Sequence, residues 1–246
     1  MARIIARRHG GNLVIAARRK DRLEELVREL RDETGVDVVP LAVDLTVPAQ
    51  VDSLFEQAVA QRTIDAVVLN AGVTYFGHAL EQPVESVANM IATNVTSVAH
   101  LATRFGKHFV SNGQKAHMLF VSSMASLVPM PYQALYGGTK AFLTNYAHAL
   151  RHELRRDGVK VGLFLPGGIV TEMTELSGLN KIYGSGDAGM MEASACARYA
   201  VDALRKGSAV TIPGASNHLM ATLMRSFPKA LVVPVVERLY RAGVTK

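Results

Sequence analysis

Residues 64–72 read Ile64-Asp65-Ala66-Val67-Val68-Leu69-Asn70-Ala71-Gly72. A short run rich in β-branched residues, closed by Asn and Gly, predicts a strand, Ile64 to Leu69, that ends in a turn. The same pattern recurs on both sides. Toward the N-terminus, Leu13-Val14-Ile15 and Asp37 to Val43 read as strands. Between them, Asp21 to about Thr34 reads as a helix. Its Leu23, Leu26, Val27 and Leu30 make one apolar stripe, and Gly35 ends it. Thr46 is the expected N-cap of a helix that runs to about Gln61, with Pro48 in its first turn. Toward the C-terminus come a long helix Val84 to Phe109, a strand His117 to Val121, a helix Pro131 to Arg156 and a strand Lys160 to Leu165. An irregular Gly-rich segment, Pro166 to Gly189, precedes a helix Glu192 to Lys206 and a last strand Ala209 to Ile212. Strands separated by helices of this length imply right-handed βαβ units on a parallel sheet. The expected fold class is α/β, a doubly wound parallel sheet, with 1–246 as a single domain. In such sheets ligands sit at the carboxyl ends of the strands.

Composition narrows the function. The chain has 246 residues, 49% hydrophobic and 20% charged, which is globular and not disordered. Cys196 is the one cysteine, so a disulfide framework and a cysteine zinc cluster are excluded. It falls in an Ala-rich helical pattern and reads as a buried small apolar residue. No set of His, Asp and Glu has metal-ligand spacing. No apolar run reaches the roughly 18 residues of a membrane span, and the start lacks a secretory signal. A cytoplasmic, at most membrane-peripheral, protein is expected. The net charge of +6 suits an anionic ligand but is too small to argue for nucleic acid.

Polar residues mark the strand ends in a set order. Asn70-Ala71-Gly72 ends one strand, Asn94 lies in the long helix that follows, and Ser122-Ser123 ends the next strand. Tyr136 and Lys140 stand four apart, on one face of a helix. Pro166-Gly167-Gly168 ends a further strand, with Ile169 and Thr171 just behind. With these motifs in this order, from roughly Gly10 to Ile212, the chain resembles the short-chain dehydrogenase/reductase family. The resemblance implies a Rossmann-like fold and hydride transfer between a nicotinamide cofactor and a carbonyl or secondary alcohol.

The resemblance makes Tyr136 the acid/base. A phenol has a pKa near 10, and a nearby Lys ammonium favours the phenolate. It gives Lys140 the nicotinamide ribose as well, and has Ser123 hydrogen-bond the substrate oxygen. Asn94 belongs to a proton relay through water to Lys140. Ser123 keeps the family's thirteen-residue interval before Tyr136, and Ser122 does not. Tyr132 is another phenol, but no Lys lies four residues after it. Asn70, Ala71 and Gly72 brace the cofactor, Asp44 and Leu45 contact its adenine, and Pro166, Gly167, Ile169 and Thr171 line its nicotinamide end. Gly137 and Gly138, each costing roughly 1 kcal/mol in a helix, are read as room for the ribose. Where an NAD-binding fold places an acid at a strand end to hold the ribose, the strand Leu13-Val14-Ile15 runs here into Ala17 followed by Arg18. A guanidinium suits a 2′-phosphate, so the expected cofactor is NADP. Dimers or tetramers through residues 84–109 and 131–156 are implied by resemblance.

The family's first strand and its Gly-x-x-x-Gly-x-Gly loop have no counterpart before Leu13. Met1 to His9 reads instead as the end of a basic amphipathic helix, stopped by Gly10-Gly11. Three readings compete: a sequence that starts at an internal Met, a relative without the pyrophosphate cradle, and a rebuilt terminus with Arg3 to Ala6 as a strand. Unless a strand is supplied, the sheet is expected to carry a gap. Residues 1–70 are then a remnant of the cofactor half, and 71–212 the catalytic half. A relative without the cradle would serve as a binding or structural subunit. On the substrate side, Met173, Leu176, Leu179, Ile182, Tyr183, Met190 and Met191 predict an apolar lining, hence a hydrophobic carbonyl or alcohol. The extension 213–246 is apolar and basic, with Pro228 and Pro234 expected to break it. It is read as a dimer contact or lid, or as a membrane-surface contact.

Overall fold

The computed structural model describes residues 1–179 and 190–244. The elements run α1 (Ala2–His9), β1 (Leu13–Ala17), α2 (Lys20–Thr34), β2 (Val38–Ala42), α3 (Pro48–Gln61) and β3 (Ala66–Leu69), then α4 (Val84–Ile91), α5 (Ser97–Ser111), β4 (Ala116–Val121), α6 (Ala134–Glu153) and β5 (Val159–Phe164). There follow β6 (Ile169–Val170), α7 (Glu172–Leu176), β7 (Met191–Glu192), α8 (Ala193–Lys206), β8 (Val210–Thr211), α9 (Ala215–Ser226) and α10 (Lys229–Val244). Every strand pair is parallel. Helices α3, α5 and α6 bury Leu54, Phe55, Leu101, Phe105, Leu143 and Ala147 on one face of the sheet. On the other face α8 packs Cys196, Ala200 and Leu204 against Leu119 and Phe164, and α1 and α2 pack Ala6, Val27 and Leu30 against Val38. This is the doubly wound arrangement.

The sheet is in two pieces. β1 pairs with β2, and β3, β4, β5 and β8 form a separate four-stranded ladder in that order. The open edges of β1 and β3 line the same cavity, a slot closed by α1 and α2 on one face and by α5 on the other. The gap expected from the sequence is therefore there. Arg3 to Ala6 does not fill it as a strand, because those residues belong to α1. That helix is latched onto α2: Arg3 holds Glu29 through two bonds of 2.6 Å, and Arg7 bridges Glu29 and Glu33. Gly10, at φ 59°, stops α1 in the left-handed conformation that suits glycine.

Other expectations shift in detail. The long helix over 84–109 is interrupted by a π turn, Ala92–Thr96, between α4 and α5. Thr46 does not cap α3: the N-cap is Val47, and the Thr46 hydroxyl donates to Asp44 instead. Pro131 and Tyr132 precede α6 and do not begin it, and Tyr132 sits at φ 63°. The Gly-rich segment is not wholly irregular, since it holds β6 and α7; its residues 180–189, with the predicted lining residues Ile182 and Tyr183, lie outside the described residues. Pro228 separates α9 from α10 as expected, but Pro234 lies inside α10 without ending it.

Candidate active site

A cavity of about 1860 Å³ runs along the carboxyl ends of the strands and continues into the slot between β1 and β3. Its wall includes Arg18, Asp44, Leu45, Asn70, Ala71, Gly72, Ser123, Tyr136, Lys140, Pro166, Gly167, Ile169 and Thr171. Nearly every residue expected at the site thus lines one cleft; Asn94 stands just behind it.

Helix α6 sets the central pair. Four residues is slightly more than one turn, so Tyr136 and Lys140 share a face. The Lys140 ammonium lies 5.7 Å from the centroid of the Tyr136 ring. Lys140 is only 4% exposed, and burial lowers its pKa to about 8. One of its N–H groups donates to the Val121 carbonyl at 3.0 Å, which fixes the ammonium under the end of β4. Two donors remain.

The two serines divide their tasks. Ser122 is buried, and its hydroxyl donates to the Lys140 carbonyl at 2.8 Å and meets Thr144 at 2.9 Å, tying β4 to α6. Ser123 faces the cleft. Its hydroxyl accepts from the Ala125 N–H at 3.1 Å and, among the described residues, its own proton meets no acceptor. That leaves it able to donate to an oxygen in the cleft.

Asn94 is fully buried inside the π turn. The wider turn is a recurrent feature of functional sites in helices. Its Oδ1 accepts from Val73 N–H at 2.8 Å; its Nδ2 donates to the Val73 carbonyl at 2.9 Å and to Thr139 at 3.1 Å. The side chain clamps the loop after β3 and joins it to α6. A Cβ on Gly72 would stand 3.3 Å from Lys140 Nζ and 3.4 Å from Asn94 Oδ1, so the loop passes close over both.

At the far end of the cleft Arg18 is exposed and, among the described residues, forms no salt bridge. Its neighbour Arg19 is engaged, bidentate to Glu172 at 2.7 and 2.8 Å. Asp44 accepts from the N–H and hydroxyl of Thr46, which hold its carboxyl below its ordinary pKa. Thr171 caps α7 in a reciprocal box with Thr174. Gly167 is required by a close approach: a Cβ there would lie 2.5 Å from Asn217 Oδ1 of α9.

Three expectations need correction. Gly137 and Gly138 do not line the cleft. Gly137 is small because the Ala125 carbonyl and Met130 would lie 3.2 and 3.3 Å from a Cβ, and Gly138 has open space. Leu176 is 82% exposed and does not line the cavity, whereas Met173 and Leu179 do. Met191 sits in β7, paired to Ile169, and does not line the cavity. Further wall comes from α9 and α10, in the extension read as a dimer contact or lid, or as a membrane-surface contact. Met220, Met224, Val236, Leu239 and Tyr240 line the cavity, and Tyr136 packs in a cluster with Met224, Val232, Val236 and Tyr240. The apolar stripes of 219–224 and 231–240 were the signal for it. Cys196 is buried as expected, its thiol pushed up to about 11. No group of three metal-ligating side chains occurs among the described residues.

A family profile described as short chain dehydrogenase matches residues 1–181. The chain belongs to the short-chain dehydrogenase family. An uncharacterised oxidoreductase of Myxococcus xanthus is 34% identical over 171 residues, 68% of this chain and 66% of that protein. Mouse 17-beta-hydroxysteroid dehydrogenase type 3 is 33% identical over 68% of this chain and 55% of its own length. The matched stretch thus spans from about half to two thirds of these relatives. A short-chain dehydrogenase from Sphingobium yanoikuyae, solved with NADPH, is 30% identical, covers 93% of this chain and 91% of its own, and superposes with a TM-score of 0.79. A bulky-bulky ketone specific alcohol dehydrogenase from Comamonas testosteroni is 25% identical, with 93% and 89% coverage and a TM-score of 0.76. For a dinucleotide of the kind solved with the Sphingobium protein, the cleft has room at its Lys140 end. Gly72 leaves room beside Lys140, and Lys140 keeps donors for a ribose.

Proposed function

We propose that this short-chain dehydrogenase transfers hydride between NADP(H) and a hydrophobic carbonyl or secondary alcohol, with Tyr136 as acid/base. The observation that carries the reading is the Lys140 ammonium 5.7 Å from the Tyr136 ring, in a cleft that also holds the Ser123 hydroxyl. When bound, the nicotinamide supplies or accepts the hydride at the substrate carbon. In the reducing direction Tyr136 Oη gives its proton to the carbonyl oxygen, and Ser123 Oγ–H hydrogen-bonds the same oxygen. The Lys140 ammonium stabilises the phenolate that remains. Lys140 and the Asn70–Gly72 turn would hold the ribose side; Pro166, Gly167, Ile169 and Thr171 would border the nicotinamide; Asp44 and Leu45 would border the adenine. Asn94 fixes the loop over Lys140 and stands at the head of a relay to it through water. Arg18, exposed and in no salt bridge among the described residues, supplies the guanidinium that a 2′-phosphate would pair with. The apolar wall of Met173, Leu179, Met220, Met224 and Val236 favours a hydrophobic substrate.

The test is Tyr136→Phe in a form that binds NADPH. Loss of hydride transfer with cofactor binding retained is expected; full turnover by the variant overturns the assignment. The divided sheet favours a second reading, a binding or structural subunit without turnover. A version carrying an added strand and Gly-x-x-x-Gly-x-Gly loop ahead of Met1 separates the two: turnover gained by that version upholds the oxidoreductase reading.

A further inference from the structure

Helices α9 and α10 turn one face to Tyr136 and another to solvent, and both faces are apolar. On α9, Leu219 and Leu223 are one turn apart and 64% and 42% exposed. On α10, Leu231 and Val235 follow at a four-residue step, 62% and 60% exposed. A four-residue step advances a helix by about one turn, so these side chains form ridges and are not scattered. The inner faces are already engaged, with Ala221 and Val236 buried and Met224 and Tyr240 packed toward the cleft. Exposed apolar ridges on two successive helices mark an interaction site.

Charge decides the partner. Residues 215–244 carry Arg225, Lys229, Arg238 and Arg241 against one acid, Glu237. Glu237 is held by Arg241. Arg225, Lys229 and Arg238 form no salt bridge among the described residues. A second copy laid on this face about a two-fold axis would set these cations against themselves. An anionic bilayer offers headgroup charge to the cations and an acyl boundary to the ridges. No helix among the described residues is long and apolar enough to cross a membrane, so the helices would lie along the interface. We propose that the outer faces of α9 and α10 dock this chain on an anionic lipid bilayer. Because their inner faces wall the Tyr136 cleft, docking brings an apolar substrate pocket to the membrane surface. The docking itself is independent of the reaction assigned to Tyr136.

The experiment is co-sedimentation of the full chain with phosphatidylcholine vesicles and with vesicles that also contain phosphatidylglycerol. Two variants accompany the parent. Leu231→Ser/Val235→Ser removes the ridge, and Arg225→Gln/Lys229→Gln/Arg238→Gln removes the charge. Neither touches the residues that line the cleft, and circular dichroism reports whether each keeps the parent fold. The parent should bind the anionic vesicles, and neutral vesicles at least about tenfold more weakly. Each folded variant should lose at least about tenfold, and added salt should weaken the parent. Should the ridge variant fail to fold, the charge variant and the salt series still decide. Equal binding to both vesicles, or binding that survives both substitutions, overturns the proposal. So does a parent that ignores vesicles but sediments as a dimer which Leu231→Ser/Val235→Ser makes monomeric.

Discussion

Lys140 carries a charge into a largely buried place, and its titration is therefore readable as stability. Burial lowers its pKa from the ordinary 10.5 to about 8. Between those values the folded chain has released the proton while the unfolded chain still holds it, so stability rises with pH across that window. Urea midpoints of the cofactor-free chain should climb between pH 8 and about 9, above which the Cys196 thiol, held up to about 11, works in the opposite direction; Lys140→Met should flatten the rise, and an unchanged slope would place the ammonium in solvent. The paired arginines give a second residue-scale prediction. Arg18→Ala should weaken NADPH binding about tenfold or more, since a charge-assisted contact contributes roughly 1.5–3 kcal/mol. NADH binding should hardly change, and Ala17→Asp with Arg18 neutralised should reverse the preference. Arg19→Ala, which frees only an exposed pair with Glu172, should leave the preference intact. Fluorescence titration of both nucleotides, in a form that binds them, checks all three. Tyr136, Lys140 and the choice of Ser123 over Ser122 were legible because they rest on short spacings. The clamp from Asn94 to Val73 was not, because 21 residues and a π turn separate the partners.

At the scale of elements, apolar stripes with a period near 3.6 placed most helices within a few residues of their observed bounds. Periodicity does not see a π turn, which shifts the stripe by a single residue. Nor does it report that Pro234 is tolerated inside α10. The packing of α9 on the 166–168 loop was equally hidden, although Gly167 records it. A Cβ there meets the Asn217 side chain, whose Nδ2 donates to the Pro213 carbonyl at 2.8 Å. Gly167→Ala should force Asn217 out of that bond and lift α9 from the cleft. A cost of about 1–3 kcal/mol is expected for such overpacking, with a raised KM, because Met220 and Met224 travel with the helix. Asn217→Ala in the same chain should recover most of the stability, so the two substitutions should be strongly non-additive. Additive losses in urea unfolding would mean that the loop itself is strained.

For the whole molecule the slot between β1 and β3 is the governing feature. It was expected only from the resemblance, because the family's first strand, which lies at the middle of the sheet, has no counterpart before Leu13. Hydrogen bonding shows which groups face it. Leu13 N–H donates to Asp37, and the Ala17 carbonyl accepts from Val43, so alternate residues of β1 serve β2. Val14 and Ala16 therefore point their N–H and C=O away from β2. On β3 the Asp65 carbonyl serves His117, which leaves Ala66 and Val68 facing the slot in the same way. Unpaired backbone groups at an internal edge are costly and seek either water or a strand. The amides of Val14, Ala16 and Val68 should therefore exchange hydrogen at least about tenfold faster than those of Ile15 and Val67, which are bonded within their ladders. Residue-resolved exchange by NMR measures this. A version with an added parallel strand ahead of Met1 should slow the first set and leave the second unchanged. Should both sets prove equally protected in the chain as it stands, β1 and β3 have closed on one another in solution.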